Sequence, residues 1–221
     1  MKRILLINPN TNAGTTASML AIAREAAAGS LQIEAMTAPQ GVPMITDASA
    51  LQQASAILTG LIPELRAQHW DGVITAAYGD PALQALREGL DCPVTGIGEA
   101  SMLEAAGYGA FAVVTTTPDL AGSITAMAGR LGLDSLFGGV YLTFGDAVAV
   151  THDPALLVER LEDACLRAVR ETGDGLAALI IGGGPLAQAA RVLVDRVPVR
   201  LIEPVPAAIR RIGLMVQSAN C

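Results

Sequence analysis

The stretch Ala177–Ala189, "AALIIGGGPLAQA", runs a short apolar segment into three glycines and a proline, then resumes with helical spacing. Gly72–Gln84, "GVITAAYGDPALQ", has the same design: apolar run, turn, proline, helix. A second pair repeats it. "RILLINPNTN" (3–12) and "FAVVTTTPDL" (111–120) are each a hydrophobic strand, a polar turn and a proline opening a helix. Pro81 precedes Pro185, and Pro9 precedes Pro118, by nearly equal separations, so the chain reads as two similar halves.

Outward from these stretches, β-branched runs alternate with longer Ala/Leu-rich segments of helical period. Strands are expected near 3–7, 31–37, 72–77, 93–96, 110–115, 138–143, 177–182 and 199–202. Helices are expected near 12–28, 48–68, 81–89, 99–107, 118–132, 154–171, 185–195 and 205–216. Such alternation predicts an α/β fold: two pseudo-symmetric lobes, each a parallel sheet flanked by helices. Only 3% of the 221 residues are aromatic and 52% are hydrophobic, which suits parallel sheets covered on both faces.

The formal net charge of −7, with two histidines and no basic cluster, argues against nucleic acid or an anionic membrane as partner. "MKRILLINPNTN" reads as a strand and not a signal peptide, because its apolar run is broken at Asn8 and Pro9. No apolar run approaches the ~20 residues of a membrane span. Cys92, Cys165 and Cys221 are widely spaced and odd in number, with neither metal nor disulfide spacing. A reducing, cytoplasmic compartment and a homo-oligomer are the expectation.

Ligands of open α/β sheets bind beyond the carboxyl ends of strands, so four turns carry the search for a site. "NPNTN" offers Asn8, Asn10 and Thr11 at a helix start, where free N–H groups hold an anion or where Asn and Thr simply cap. "AAYGDP" brings Tyr78, Gly79 and Asp80; Asp80 before Pro81 is the pattern of a helix cap, and Tyr78 either meets a ligand or packs on the sheet. "TTTP" supplies Thr115 and Thr116, with Thr117 as the cap. "IGGGP" lacks the lysine of a phosphate loop; Gly183 and Gly184 let a ligand approach backbone N–H groups or make a tight turn. His152 reads as a polar residue before the Asp153 cap, and Glu99 as a first-turn helix carboxylate. Glu203 follows the final strand and can face the cleft. None of the cysteines is placed as a nucleophile.

Taken in order, "LINPNTN", "DGVITAAYGDPAL", "CPVTGIGEASM", "FAVVTTTP", "IIGGGPLA" and "LIEPVPAAI" resemble the aspartate/glutamate/hydantoin racemase superfamily, closest to its hydantoin racemase-like branch. The resemblance implies lobes of residues 1–97 with 205–221, and 98–204, with the active site between them and the C-terminal helix packed on the first lobe. It implies no cofactor and no metal. It also implies two catalytic cysteines, one per lobe; their positions here are Ala77 and Gly183. With both thiols replaced, the expected function is cofactor-independent chemistry on a small carboxylate or hydantoin-like cyclic amide. An enolate-like or oxyanion intermediate would be stabilised in an isomerase, lyase or hydrolase step. Tyr78, Asp80 and Glu203 are the candidate proton carriers, with Glu99 and His152 behind them. Racemisation by non-cysteine bases and an inactive ligand-binding homologue are the alternatives.

Overall fold

The computed structural model describes residues 1–183 and 186–219. Its first sheet holds β1 (Lys2–Asn8), β2 (Leu31–Thr37), β3 (Gly72–Thr75) and β4 (Val94–Gly96), ordered β2-β1-β3-β4. The second holds β5 (Ala110–Thr115), β6 (Phe137–Leu142), β7 (Leu176–Ile181) and β8 (Arg200–Ile202), ordered β6-β5-β7-β8. The two orders are the same walk, and every pairing is parallel. The repeat in the sequence is therefore a repeat of topology, with two lobes.

Helices α1 (Ala13–Ala27), α2 (Ala48–Gly60), α3 (Ile62–Arg66) and α4 (Leu83–Gly89) lie in the first half. The segment expected as one helix over 48–68 is split at Gly60 and Leu61, ahead of Pro63, because Pro63 cannot extend an existing helix. Helix α5 (Ile97–Ala106) leads into the second half, which carries α6 (Ala121–Arg130), α7 (Ala147–His152), α8 (Pro154–Thr172) and α9 (Ala187–Leu193). A 3-10 turn at Pro118–Leu120 precedes α6, and α7 is absent from the sequence expectation. Helix α10 (Pro204–Ser218) returns to pack on α1 and α5. That approach is close: a Cβ on Gly72 would lie 2.9 Å from Ile212 Cγ1.

Alternation along the strands divides the core into layers. Leu5, Ile7 and Val73 face Leu58, Leu65, Trp70 and Leu86 on one outer side. Ala112, Val114, Leu179 and Ile181 face α8 and α9 on the other. Between them, Ile4, Leu6 and Ile74 of the first sheet and Phe111, Val113 and Ile180 of the second join one apolar cluster through Ile97, Met102, Ile209 and Ile212. Helices α5 and α10 thus form a layer that both sheets share. Among the described residues no helix is long and apolar enough to cross a membrane.

Candidate active site

The carboxyl ends of β1, β3, β5 and β7 converge on a cavity of about 530 Å³. Asn10, Asn12, Gly14 and Thr15 bring the amino end of α1 to it; Ala76, Ala77 and Tyr78 come from the turn after β3. Across the cleft stand Thr115, Thr116 and Thr117 after β5, and Gly182 and Gly183 after β7. Pro43, Met44 and Ile45 of the loop after β2, with Leu120, Val148 and Leu186, make the apolar part of the wall. No Asp, Glu, Lys or Arg is among the described lining residues; His152, at the end of α7, and Tyr78 are the ionisable ones.

The expected binding residues separate once placed. Asn10, Tyr78, Thr115, Thr116 and Gly183 reach the cavity. Asn8 does not: it is fully buried, and its amide organises the turn, donating to Asn10 Oδ1 at 2.9 Å, Thr16 Oγ1 at 2.9 Å and the Asn12 carbonyl at 3.1 Å. Asn12 is the cap of α1, accepting from the Thr15 N–H at 3.1 Å. Thr11 turns its N–H to the Val42 carbonyl, away from the cavity. Gly79 is against Leu51, with φ of 120° and no room for a side chain. Gly184 lies outside the described residues. Thr117 caps nothing with its side chain; its hydroxyl instead shares a hydrogen bond with Thr115 at 3.1 Å.

The proposed proton carriers are redistributed more sharply. Asp80 faces away from this cavity and does not cap the helix after Pro81, which starts only at Leu83 behind a left-handed Ala82. Its carboxylate accepts from the Gly98 N–H at 2.8 Å and the Glu99 N–H at 2.6 Å, capping α5 from a distant turn. Burial pushes its pKa up to about 7 against those two bonds. Glu203 is outside the cavity too, 3.5 Å from Arg191 Nε, and burial raises its pKa although Arg191 opposes the shift. Glu99 is buried, held by Arg87 at 2.6 Å and Arg211 at 3.2 Å. Tyr78 has no hydrogen-bond partner for its hydroxyl, and burial lifts the phenol above its usual range, an effect the nearby Ser101 hydroxyl only partly offsets. It stays neutral.

Sequence reasoning missed the Pro43–Ile45 wall and gave His152 the lesser part. No local signal marks either; His152 is exposed at the end of α7 and lines the cavity from there.

Ala77 and Gly183, from opposite lobes, both line the cavity. The Asp/Glu/hydantoin racemase family model matches residues 4–212. The chain belongs to this racemase family. A hydantoin racemase of Paenarthrobacter aurescens is 30% identical over 213 residues, 94% of this chain and 88% of the relative. The structure of an allantoin racemase from Klebsiella pneumoniae superposes with a TM-score of 0.91 and 31% identity, covering 99% of this chain and 89% of that one. Unliganded arylmalonate decarboxylase shares the fold, with a TM-score of 0.64 and 20% identity over 98% of this chain and 93% of its own. Within this racemase family the present chain has no thiol at Ala77 or Gly183. Cys92 lies against the outer core with its pKa pushed up to about 11, and Cys165 is fully buried with its pKa up to about 12, burial being the main cause in both. Cys221 lies outside the described residues.

Proposed function

We propose that the cavity binds a hydantoin-like cyclic amide or a small carboxylate and stabilises the enolate-type anion left when the α-proton is removed. One observation carries this reading: helix amino ends and hydroxyls line the cavity, without a charged side chain among the described residues. Anions and polarised carbonyls are favoured at helix amino ends, where N–H groups are free and the peptide dipoles align. A free α-amino acid is disfavoured, because its ammonium would meet no carboxylate. The neutral ring of a cyclic amide fits best.

His152 is the proton carrier in this mechanism. Its imidazole takes the α-proton, directly or through a water, while the electron pair moves onto the carbonyl oxygen facing Thr116 and the α1 amino end, the Thr115 and Thr117 hydroxyls being engaged in the turn beneath. Return of a proton to the same face gives exchange without inversion; delivery by water to the other face gives racemisation. A positioned base contributes typically ~10²–10⁴ in rate and an oxyanion donor ~10²–10³, so the site retains much of the means for this step without sulfur. The lobes doing this are residues 1–97 with 205–221, and 98–204. No cofactor enters the scheme.

The test is incubation of an enantiopure 5-substituted hydantoin in deuterated buffer, followed by NMR and chiral chromatography. Deuterium should enter at C5 faster than without protein, and His152→Ala should remove the excess. Binding by calorimetry with no exchange above background would overturn the reading. It would favour a ligand-binding homologue, for which the replaced Ala77 and Gly183 also speak.

A further inference from the structure

We propose that Asp80 is a positioning residue: by capping α5 from the turn after β3, it pins the Ala77–Tyr78 wall of the cavity to the helix that both lobes share. The turn is strained. Asp80 and Ala82 have φ of 50° and 59°, which side chains other than glycine seldom adopt, and Gly79 has φ of 120°. Such a backbone persists only where surrounding bonds fix it. The Asp80 N–H donates to the Ala77 carbonyl at 3.0 Å, the Thr75 hydroxyl to the Pro81 carbonyl at 3.0 Å, and the Ala82 N–H to Ser55 Oγ at 3.1 Å. All of these stay within the first lobe. The two bonds from α5 to the Asp80 carboxylate hold the turn's strained backbone to the shared layer, beside the apolar packing of Ala76 and Tyr78 on α5.

Helix α5 is built for a cap supplied from elsewhere. Its own N-cap residue is Gly96, with φ −108° and ψ 158° and no side chain to bond the free N–H groups. A Cβ on Gly96 would fall inside the Asp80 carboxyl group. Residue 96 is therefore emptied for residue 80. Behind the carboxylate lies a second cavity of about 600 Å³, where Arg87 of α4, Glu99 of α5 and Arg130 of α6 are the other charged groups. Arg87 is already engaged by Glu99, so the α5 amino end is Asp80's principal partner. On its other side α5 packs against α10 and against β5 and β7. A shift of the second lobe is thus transmitted to Ala77 and Tyr78 through this carboxylate.

The experiment separates a tether from a mere cap, using amide hydrogen exchange of the peptides 76–83 and 97–105 together with thermal melting. None of these readouts requires a substrate, so the result stands apart from the proposed reaction. Asp80→Ala should lower the melting temperature and speed exchange in both peptides by about tenfold or more. Adding Gly96→Ser, whose nearest obstacles are the three carboxyl atoms that Asp80→Ala removes, gives α5 its own cap. Melting temperature and 97–105 protection should then recover while 76–83 stays fast. Recovery of both peptides would overturn the proposal, as would unchanged 76–83 exchange in Asp80→Ala. If the alanine variants do not fold, or the added serine fails to protect α5, Asp80→Asn decides. Its remaining oxygen keeps one bond to α5, so exchange in 76–83 should rise more than in 97–105; an equal rise would overturn the idea.

Discussion

Thr115 Oγ1 donates to the Gly182 carbonyl at 2.9 Å, joining the carboxyl ends of β5 and β7 beneath the cavity. Both groups are buried, and the same hydroxyl shares a hydrogen bond with Thr117. Thr115→Val keeps the shape and removes the donor, leaving a buried carbonyl without this partner. The loss should be about 1–3 kcal/mol of stability, read from urea unfolding at constant slope. A variant as stable as the parent would show that the bond is dispensable.

Asp80 sets a pH dependence. Burial raises its folded pKa to about 7 from an ordinary 3.8, so between these values the native state holds a proton that the unfolded state has lost. Stability from this group is fully present below about pH 4 and is lost as pH rises toward and through 7. Glu203, also raised by burial, acts in the same sense. Asp71, lowered by its hydrogen bond from Lys2, acts oppositely, losing its contribution as the pH falls through its folded pKa. Asp80→Asn should therefore flatten the fall in unfolding free energy between about pH 4 and 7; an unaltered slope would refute the assignment.

Thiol chemistry should be dispensable. Cys92→Ser, Cys165→Ala and Cys221→Ser together should leave ligand binding and any C5 exchange within about twofold of the parent. Mass spectrometry of the native protein should find Cys92 and Cys165 alkylated more slowly than free cysteine, because burial suppresses their thiolates. A folded triple variant without function would show that sulfur participates.

Restoring the two sulfurs is the sharpest functional test. A Cβ on Gly183 would come within 2.9 Å of Leu186 Cδ1, the movable end of a side chain, and the Gly183 backbone is not left-handed. Ala77→Cys with Gly183→Cys should therefore fold, placing one sulfur on each lobe's wall of the cavity. We expect the double variant to exchange the C5 proton of a hydantoin at least tenfold faster than the parent, a barrier lower by about 1.4 kcal/mol, and each single variant to gain less. Cooperative melting and ligand binding without that gain would mean the cavity is shaped for another step.

The repeat and the sheets were legible because buried parallel strands are written as unbroken apolar runs, such as Ile4–Ile7 and Leu179–Ile181. The four turns were legible for the same reason: they follow those runs. Asp80 was misread because Asp-Pro is a local capping pattern, whereas its bonds go to residues 98 and 99. A clue was present in "GIGE", a helix start with no side chain to cap itself. The place of His152 on the cavity wall was not legible because α7 is a short helix with no period to reveal which side faces the cavity.

Helix α10 imposes an order on biosynthesis. The strands β1 to β4 emerge first, yet the surface formed by α1, α5 and Gly72 is covered only when residues 204–218 have been made. By then β5 to β8 have already been synthesised. On the ribosome the nascent first lobe therefore carries an open apolar face throughout translation of the second, a period in which chaperones or a second nascent chain compete for it.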